Sequence, residues 1–187
     1  ARLDERGRNR LSITRSESGA LELRRDWVDL REIAARVIEA TRRRGAAQRL
    51  ELAWPADIPL VQADAALVEQ ALGNIVANAV AHTPATSHIV IDAEAGDLAV
   101  RLRITDDGPG ISATDLPHIF ERFVRSASDT APSSDRGQGV GLGLAITKGI
   151  MEAHGGAVSA VSPVADGHGT RFVLTFMRDR TQETPQP

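Results

Sequence analysis

The sequence predicts one α/β domain in which helices and strands alternate along the chain, and three observations carry that expectation. Apolar residues recur at helical spacing in three segments, near 30–44, 65–82 and 142–153. Short runs of alternating apolar and polar residues lie between them, and two of these, 88–95 and 98–106, flank Gly96-Asp97 as a hairpin would. The 187 residues are 42% hydrophobic, enough for one sizeable core, and no apolar run approaches the roughly 18 residues needed to cross a bilayer.

Residues 1–18, ARLDERGRNRLSITRSES, read as a polar helical piece too poor in apolar side chains for a core of its own. LELRR at 21–25 alternates like an edge strand. Asp29 can cap a helix running to about Arg44, with Glu32 at capping-box spacing, Gly45 just past the end, and a stripe of Leu30, Ile33, Ala34, Val37 and Ile38. RLELAW at 49–54 and PLVQA at 59–63 read as short strands separated by Pro55, Asp57 and Pro59. Asp64 caps the second helix, whose apolar face is Val68, Leu72, Ile75, Val76 and Ala79. Beside that face Asn74, Asn78 and His82 form a polar line at i, i+4 and i+8. Asparagine is disfavoured inside helices because its amide competes for backbone bonds, so the line is either a solvated face or a site.

The hairpin ends in Asp106-Asp107-Gly108-Pro109-Gly110-Ile111, where Asp106 can accept a bond from an amino group and the glycines permit close backbone approach. The pattern from Ser112 to Phe123 is a short helix, and 124–138, rich in Ser, Asp, Pro and Gly, reads as a mobile loop. Glycine then recurs at 137, 139, 141 and 143 before a helix with Leu142, Ala145, Ile146, Gly149, Ile150 and Ala153 on one stripe. Gly155-Gly156 stops it; strands near 157–162 and 170–177 follow, and the TQETPQP end reads as disordered.

The glycine run points to a phosphate. Each glycine forfeits about 0.5–1 kcal/mol relative to alanine in an ordered element, and the following helix N-terminus offers unpaired N–H groups and partial positive charge. The P-loop pattern is absent, since the only lysine, Lys148, stands on the helix outside the required frame. The dinucleotide pattern fails because Leu142 and Leu144 stand where its last glycine is needed and no strand leads into the run. Zero cysteine excludes disulfides and thiolate metal sites, and the histidines at 82, 88, 118, 154 and 168 lack zinc-ligand spacing. Residues 1–50 hold 13 Arg against 8 acids and the remainder 9 Lys plus Arg against 17 acids. The basic part is helically spaced among acids and poor in aromatics, so it reads as a solvated face with no nucleic-acid partner.

Taken in order, QALGNIVANAVAHTP, TDDGPGI, IFERFVR, GQGVGLGLAI and GHGT resemble the N, G1, F, G2 and G3 boxes of the sensor histidine kinase catalytic domain. The resemblance covers roughly residues 27–177 and implies the Bergerat ATP-binding fold, an α/β sandwich of a mixed sheet with helices on one face. It implies ATP and Mg²⁺ as ligands. By resemblance Asn78 binds the metal, Asp106 accepts the adenine amino group, and Thr170 assists through water. Gly108, Gly110 and Ile111 line the base; Phe120, Arg122, Phe123 and Arg125 form the F box, with the phosphate-touching arginine left open. Gly137, Gly139, Val140, Gly141, Leu142, Gly143 and Leu144 wall the phosphates, Asn74 and His82 flank them, and about 124–138 form the ATP lid.

Two departures matter. Ala81 stands where relatives often carry Lys or Arg, a loss for which His82 or a lid residue such as Arg136 would compensate; Asp107 replaces the commoner asparagine. Gyrase, mismatch-repair and chaperone ATPases carry a water-activating glutamate where this chain has Asn74, which cannot act as a general base; phosphotransfer is therefore expected over hydrolysis. No histidine here has phosphoacceptor surroundings. The expected organisation is the end of a dimerisation helix at 1–18, the catalytic domain at 19–178 and a tail at 179–187. The expected partners are an upstream dimerisation domain and a response regulator, in a membrane-anchored homodimer whose catalytic part is cytoplasmic; the fragment itself is expected to be monomeric. LELRRDWVDL, PADIPLVQAD and GVGLGL resemble the Kdp potassium-responsive kinases. An anti-sigma-type serine kinase, or a weakly active nucleotide-binding module, remains the alternative.

Overall fold

Two aspartates start two of the three α-helices among the described residues. Asp29 accepts from the Arg31 N–H and begins α1, Leu30–Arg43; Asp64 accepts from the N–H groups of Ala66 and Leu67 and begins α2, Ala65–His82. Gly45 follows α1 at φ +86°, the left-handed conformation that terminates helices with little penalty at glycine. The computed structural model describes residues 22–121 and 142–178. The predicted 1–18 helix, the lid, the glycines before 142 and the C-terminal tail lie outside these residues.

The strands are β1 (Asp26–Val28), β2 (Arg49–Ala53), β3 (Val61–Ala63), β4 (His88–Ala95), β5 (Ala99–Asp106), β6 (Ala157–Val161) and β7 (Thr170–Met177). Five form one sheet in the order β2-β4-β5-β7-β6, with β2 parallel to β4 and the other pairs antiparallel; β1 and β3 form a separate antiparallel ribbon. The third described helix, α3 (Gly143–Ala153), opens the second described segment and packs against α2.

Alternation puts Ile89, Ile91, Ala93, Val100, Leu102, Ile104, Phe172, Leu174 and Phe176 on one sheet face, where they share a core with the stripes of α1 and α2. The opposite face is charged: Arg103 pairs with Asp92 at 2.5 Å and Glu94 at 2.7 Å, and Arg171 donates to Thr105 Oγ1 at 3.0 Å. The expected sandwich, with helices on one face of a mixed sheet, is what forms.

Three local expectations need correction. The strand placed at 21–25 begins later, at Asp26, because the Arg24 N–H is drawn to Asp64 Oδ2 (3.0 Å) instead of a ladder partner. The helix expected from Ser112 is a set of turns with one 3₁₀ turn at Leu116–His118; Ser112 Oγ captures the Asp115 N–H, and Pro117 has no N–H to continue a ladder. On α3 the buried face is Thr147, Ile150 and Met151 with His154 at the C-cap, while Gly149 is exposed.

Candidate functional site

The end of β5 delivers the central group. Alternation turns Asp106 inward beside the core, leaving it 7% exposed. Burial pushes its carboxyl above the ordinary value of 3.8, opposed by N–H bonds from Gly108 and Thr170; the Asp107 charge raises it further and His82 lowers it weakly. Oδ1 is held by the Gly108 N–H at 2.9 Å. Thr170, buried, is the register partner of Asp106 on β7.

Two glycines around it are required by contact. A Cβ on Gly108 would lie 2.5 Å from Thr83 Cγ2 and 2.9 Å from Asp106 Oδ1, so the chain passes the end of α2 only as glycine. Gly169, at φ +82°, would put a Cβ 2.7 Å from the Asp106 carbonyl oxygen. Its own N–H donates to the Gly108 carbonyl at 2.8 Å, tying the loop after β5 to the turn before β7. Phe120 packs edge-on against Phe172 with centroids 6.3 Å apart, anchoring the segment after that loop to the sheet. Ile111 also packs against the core.

On α2, Asn74 points toward α3. Its Nδ2 donates to the Gly143 carbonyl at 3.1 Å and lies 3.5 Å from Thr147 Oγ1. The Thr147 hydroxyl, fully buried, reaches the Ala71 carbonyl at 3.2 Å and that of Gly143 at 3.0 Å. One turn beyond Asn74, Asn78 is half-buried, and among the described residues no hydrogen bond engages its amide. Ala81 and His82 are exposed at the end of α2. Leu142, at the N-cap of α3, has no side-chain acceptor for the first-turn N–H groups, in contrast with Asp29 and Asp64. Gly143 faces Asn74, yet an added Cβ would meet it at an ordinary 3.6 Å, so helix packing alone does not demand glycine there.

A model of the family described as histidine kinase-, DNA gyrase B-, and HSP90-like ATPase matches residues 63–180. The chain belongs to this family. Its relatives identify it as an ATP-binding catalytic domain of the sensor histidine kinase type. It is 35% identical over 164 residues to the sensor protein KdpD of Clostridium acetobutylicum, a match spanning 88% of this chain and 18% of that protein. It is also 38% identical to the sensor histidine kinase CusS of Escherichia coli K12, over 68% of this chain and 25% of CusS. The chain thus spans about a fifth to a quarter of the length of these relatives. Among solved structures, the mycobacterial sensor histidine kinase MprB superposes with TM-score 0.68 at 31% identity, covering 81% of this chain and 97% of that one. Full-length ShkA in complex with AMPPNP gives 0.71 at 31% identity, over 84% of this chain and 32% of ShkA.

For this histidine kinase-type ATPase domain, Asp106, Gly108, Gly110, Ile111 and Thr170 come together at one end of the sheet. Asn74 meets Gly143 where α2 faces the start of α3, with Leu142 and Leu144 on either side of that glycine in the chain, and Phe120 packs on Phe172 of the sheet. Arg122, Phe123, Arg125, Gly137, Gly139, Val140 and Gly141 lie outside the described residues. Sequence reasoning missed Thr147, His154 and Ser162. The first two interrupt an apolar stripe with polar groups, a signal available in the sequence; Ser162, beside Pro163, reads as an ordinary strand end.

Proposed function

We propose that the domain binds Mg-ATP between α2, the 106–111 loop and the N-terminus of α3, and transfers the γ-phosphoryl group to a histidine carried by another domain. The observation that carries this reading is Asp106, a buried carboxylate held by the N–H groups of Gly108 and Thr170, around which close contacts require glycine at 108 and 169. Such a carboxylate is an acceptor matched to the exocyclic amino group of adenine.

The first turn of α3 would face the phosphates with its unpaired N–H groups. Among the described residues no cluster of three or more His, Asp or Glu could cage a metal ion. That suits a cation bound through few protein oxygens, as Mg²⁺ is with phosphates and waters completing its shell; Asn78 Oδ1 is the hard oxygen on hand. When bound, Mg²⁺ supplies charge neutralisation at the phosphates. Asn74, engaged with Gly143, offers no base to activate water, so the bound γ-phosphoryl group awaits an imidazole nucleophile oriented by a second domain. The sensor kinases among the relatives favour histidine as acceptor over the serine-kinase alternative. By likeness to KdpD, we further assign the chain to a membrane-anchored, potassium-responsive dimer that relays phosphate to a response regulator. No helix among the described residues is long and apolar enough to cross a membrane.

Calorimetric titration with ATP, with and without Mg²⁺, followed by phosphotransfer to an added dimerisation domain, tests the reading. Magnesium-dependent binding and acid-labile phosphate on histidine are expected. Absence of ATP binding, or acid-stable phosphate on serine, would overturn it.

A further inference from the structure

Ser162 lies one residue beyond β6 and belongs to none of the nucleotide-binding boxes, yet its hydroxyl joins the two loops that frame Asp106. It accepts from the Ile111 N–H at 2.7 Å and donates to the Gly169 carbonyl at 3.0 Å. The Gly169 N–H donates to Gly108, and the Gly108 N–H to Asp106 Oδ1, so a chain of hydrogen bonds runs from Ile111 through Ser162, Gly169 and Gly108 to the carboxylate.

The fit around the hydroxyl is close. A Cβ on Gly110, at φ +83°, would lie 2.9 Å from Ser162 Oγ, so the 108–111 loop lies against this side chain. A hydroxyl is the smallest group that accepts one bond and donates another at a single atom. Alanine would break both connections, leaving the loop tied to the 169 turn only through Gly108. Ser162 is half-buried, so water can satisfy the Ile111 N–H and the Gly169 carbonyl if the hydroxyl is removed. Loss of the side chain therefore costs loop position more than it costs folding.

We propose that Ser162 is a positioning residue that fixes the 108–111 loop against Asp106 and thereby sets the width of the adenine slot and its selectivity for adenine over guanine. This rests on the reading that Asp106 takes the base of ATP. Guanine places an oxygen where adenine has its amino group, so GTP gains nothing from Asp106 and loses little when the loop relaxes.

The test is the dissociation constant of the full 187-residue chain for ATP and for GTP, measured for wild type, Ser162→Ala and Ser162→Thr. Ser162→Ala is expected to weaken ATP binding about tenfold, the order for losing two modest hydrogen bonds that hold a binding loop. GTP binding should change by less than about twofold, and Ser162→Thr, which keeps the hydroxyl, should restore ATP affinity. Unaltered ATP affinity in Ser162→Ala, an equal loss for both nucleotides, or no restoration by threonine would overturn the assignment. A wild-type chain that fails to bind ATP would instead remove the functional reading beneath it.

Discussion

Replacing Asp106 with asparagine should move affinity and stability in opposite directions. The carboxylate is buried, and burial holds its pKa above the ordinary 3.8. A raised folded pKa means that ionisation destabilises the fold: the penalty is absent below the unfolded value and fully present once pH exceeds the folded one. At neutral pH wild type carries that penalty and Asp106→Asn does not, while the amide oxygen can still accept from the Gly108 N–H. The apo variant should therefore be at least as stable as wild type at pH 7, with any advantage fading as pH falls into the carboxylate range. ATP binding should weaken by roughly 10- to 100-fold, because a hydrogen bond to a charged acceptor contributes about 1.5–3 kcal/mol. For the same reason wild-type ATP affinity should fall on acidification at a higher pH than an exposed aspartate would dictate. Urea unfolding and calorimetric titration of both proteins at pH 7 and below measure the two effects. ATP binding within twofold of wild type, or an apo variant less stable by more than about 1 kcal/mol, would refute the account of this carboxylate.

Ala81→Lys, at an exposed position one turn past Asn78, should tighten ATP binding roughly three- to tenfold and make it more salt-sensitive, as a surface charge pair of about 1 kcal/mol would; titration at two salt concentrations checks it. Gly108→Ala should weaken ATP binding and destabilise the domain by about 1–3 kcal/mol, since the new methyl meets Thr83 Cγ2 and overpacked sites cost that much; denaturation and titration read the two losses. His154→Ala should lower stability by about 2–4 kcal/mol, through an orphaned N–H and a buried cavity. His154 Nε2 accepts from the Asp64 N–H at 3.0 Å while Nδ1 contacts the Ile150 carbonyl at 2.7 Å, and thermal unfolding measures the loss. Asn74→Asp should detach the start of α3, because a carboxylate oxygen would face the Gly143 carbonyl, and should cost about 1–3 kcal/mol in urea unfolding.

Much of this was legible because it is local. Asp29 and Asp64 announce their helices by residue type and spacing, and the stripes of α1 and α2 recur as buried faces. Elsewhere long-range contacts decided. The ribbon strand starts late because Arg24 meets Asp64 forty residues away, and Ser162 matters only because folding brings it to Ile111, 51 residues earlier. Hydrophobic periodicity misplaces the buried face of α3 because it counts apolar residues, whereas the buried line includes a threonine and a histidine. Each meets a backbone group of α2 or of its N-cap residue, which no pattern within α3 can reveal. The site glycines divide similarly: 108 is fixed by Thr83 on another element, while 143 leaves room for a methyl beside Asn74, so packing does not require glycine there.

Those polar contacts give α2 and α3 a common purpose. The helices run antiparallel, joined at Asp64–His154, Ala71–Thr147 and Asn74–Gly143, while Arg24 and Arg25 bind the same end through Asp64 and the Ala153 carbonyl. An interface of apolar side chains alone would hold the two helices together but tolerate a slide by one turn, about 5.4 Å. Three hydrogen-bonded positions, each costly to leave unmatched once buried, exclude that slide. The height of Asn78 relative to the first turn of α3 is thereby fixed, and with it, on the proposed reading, the spacing available to a phosphate chain between them. The polar residues of this interface contribute less to holding the domain together than to holding one register, and register is what the proposed site between the two helices requires.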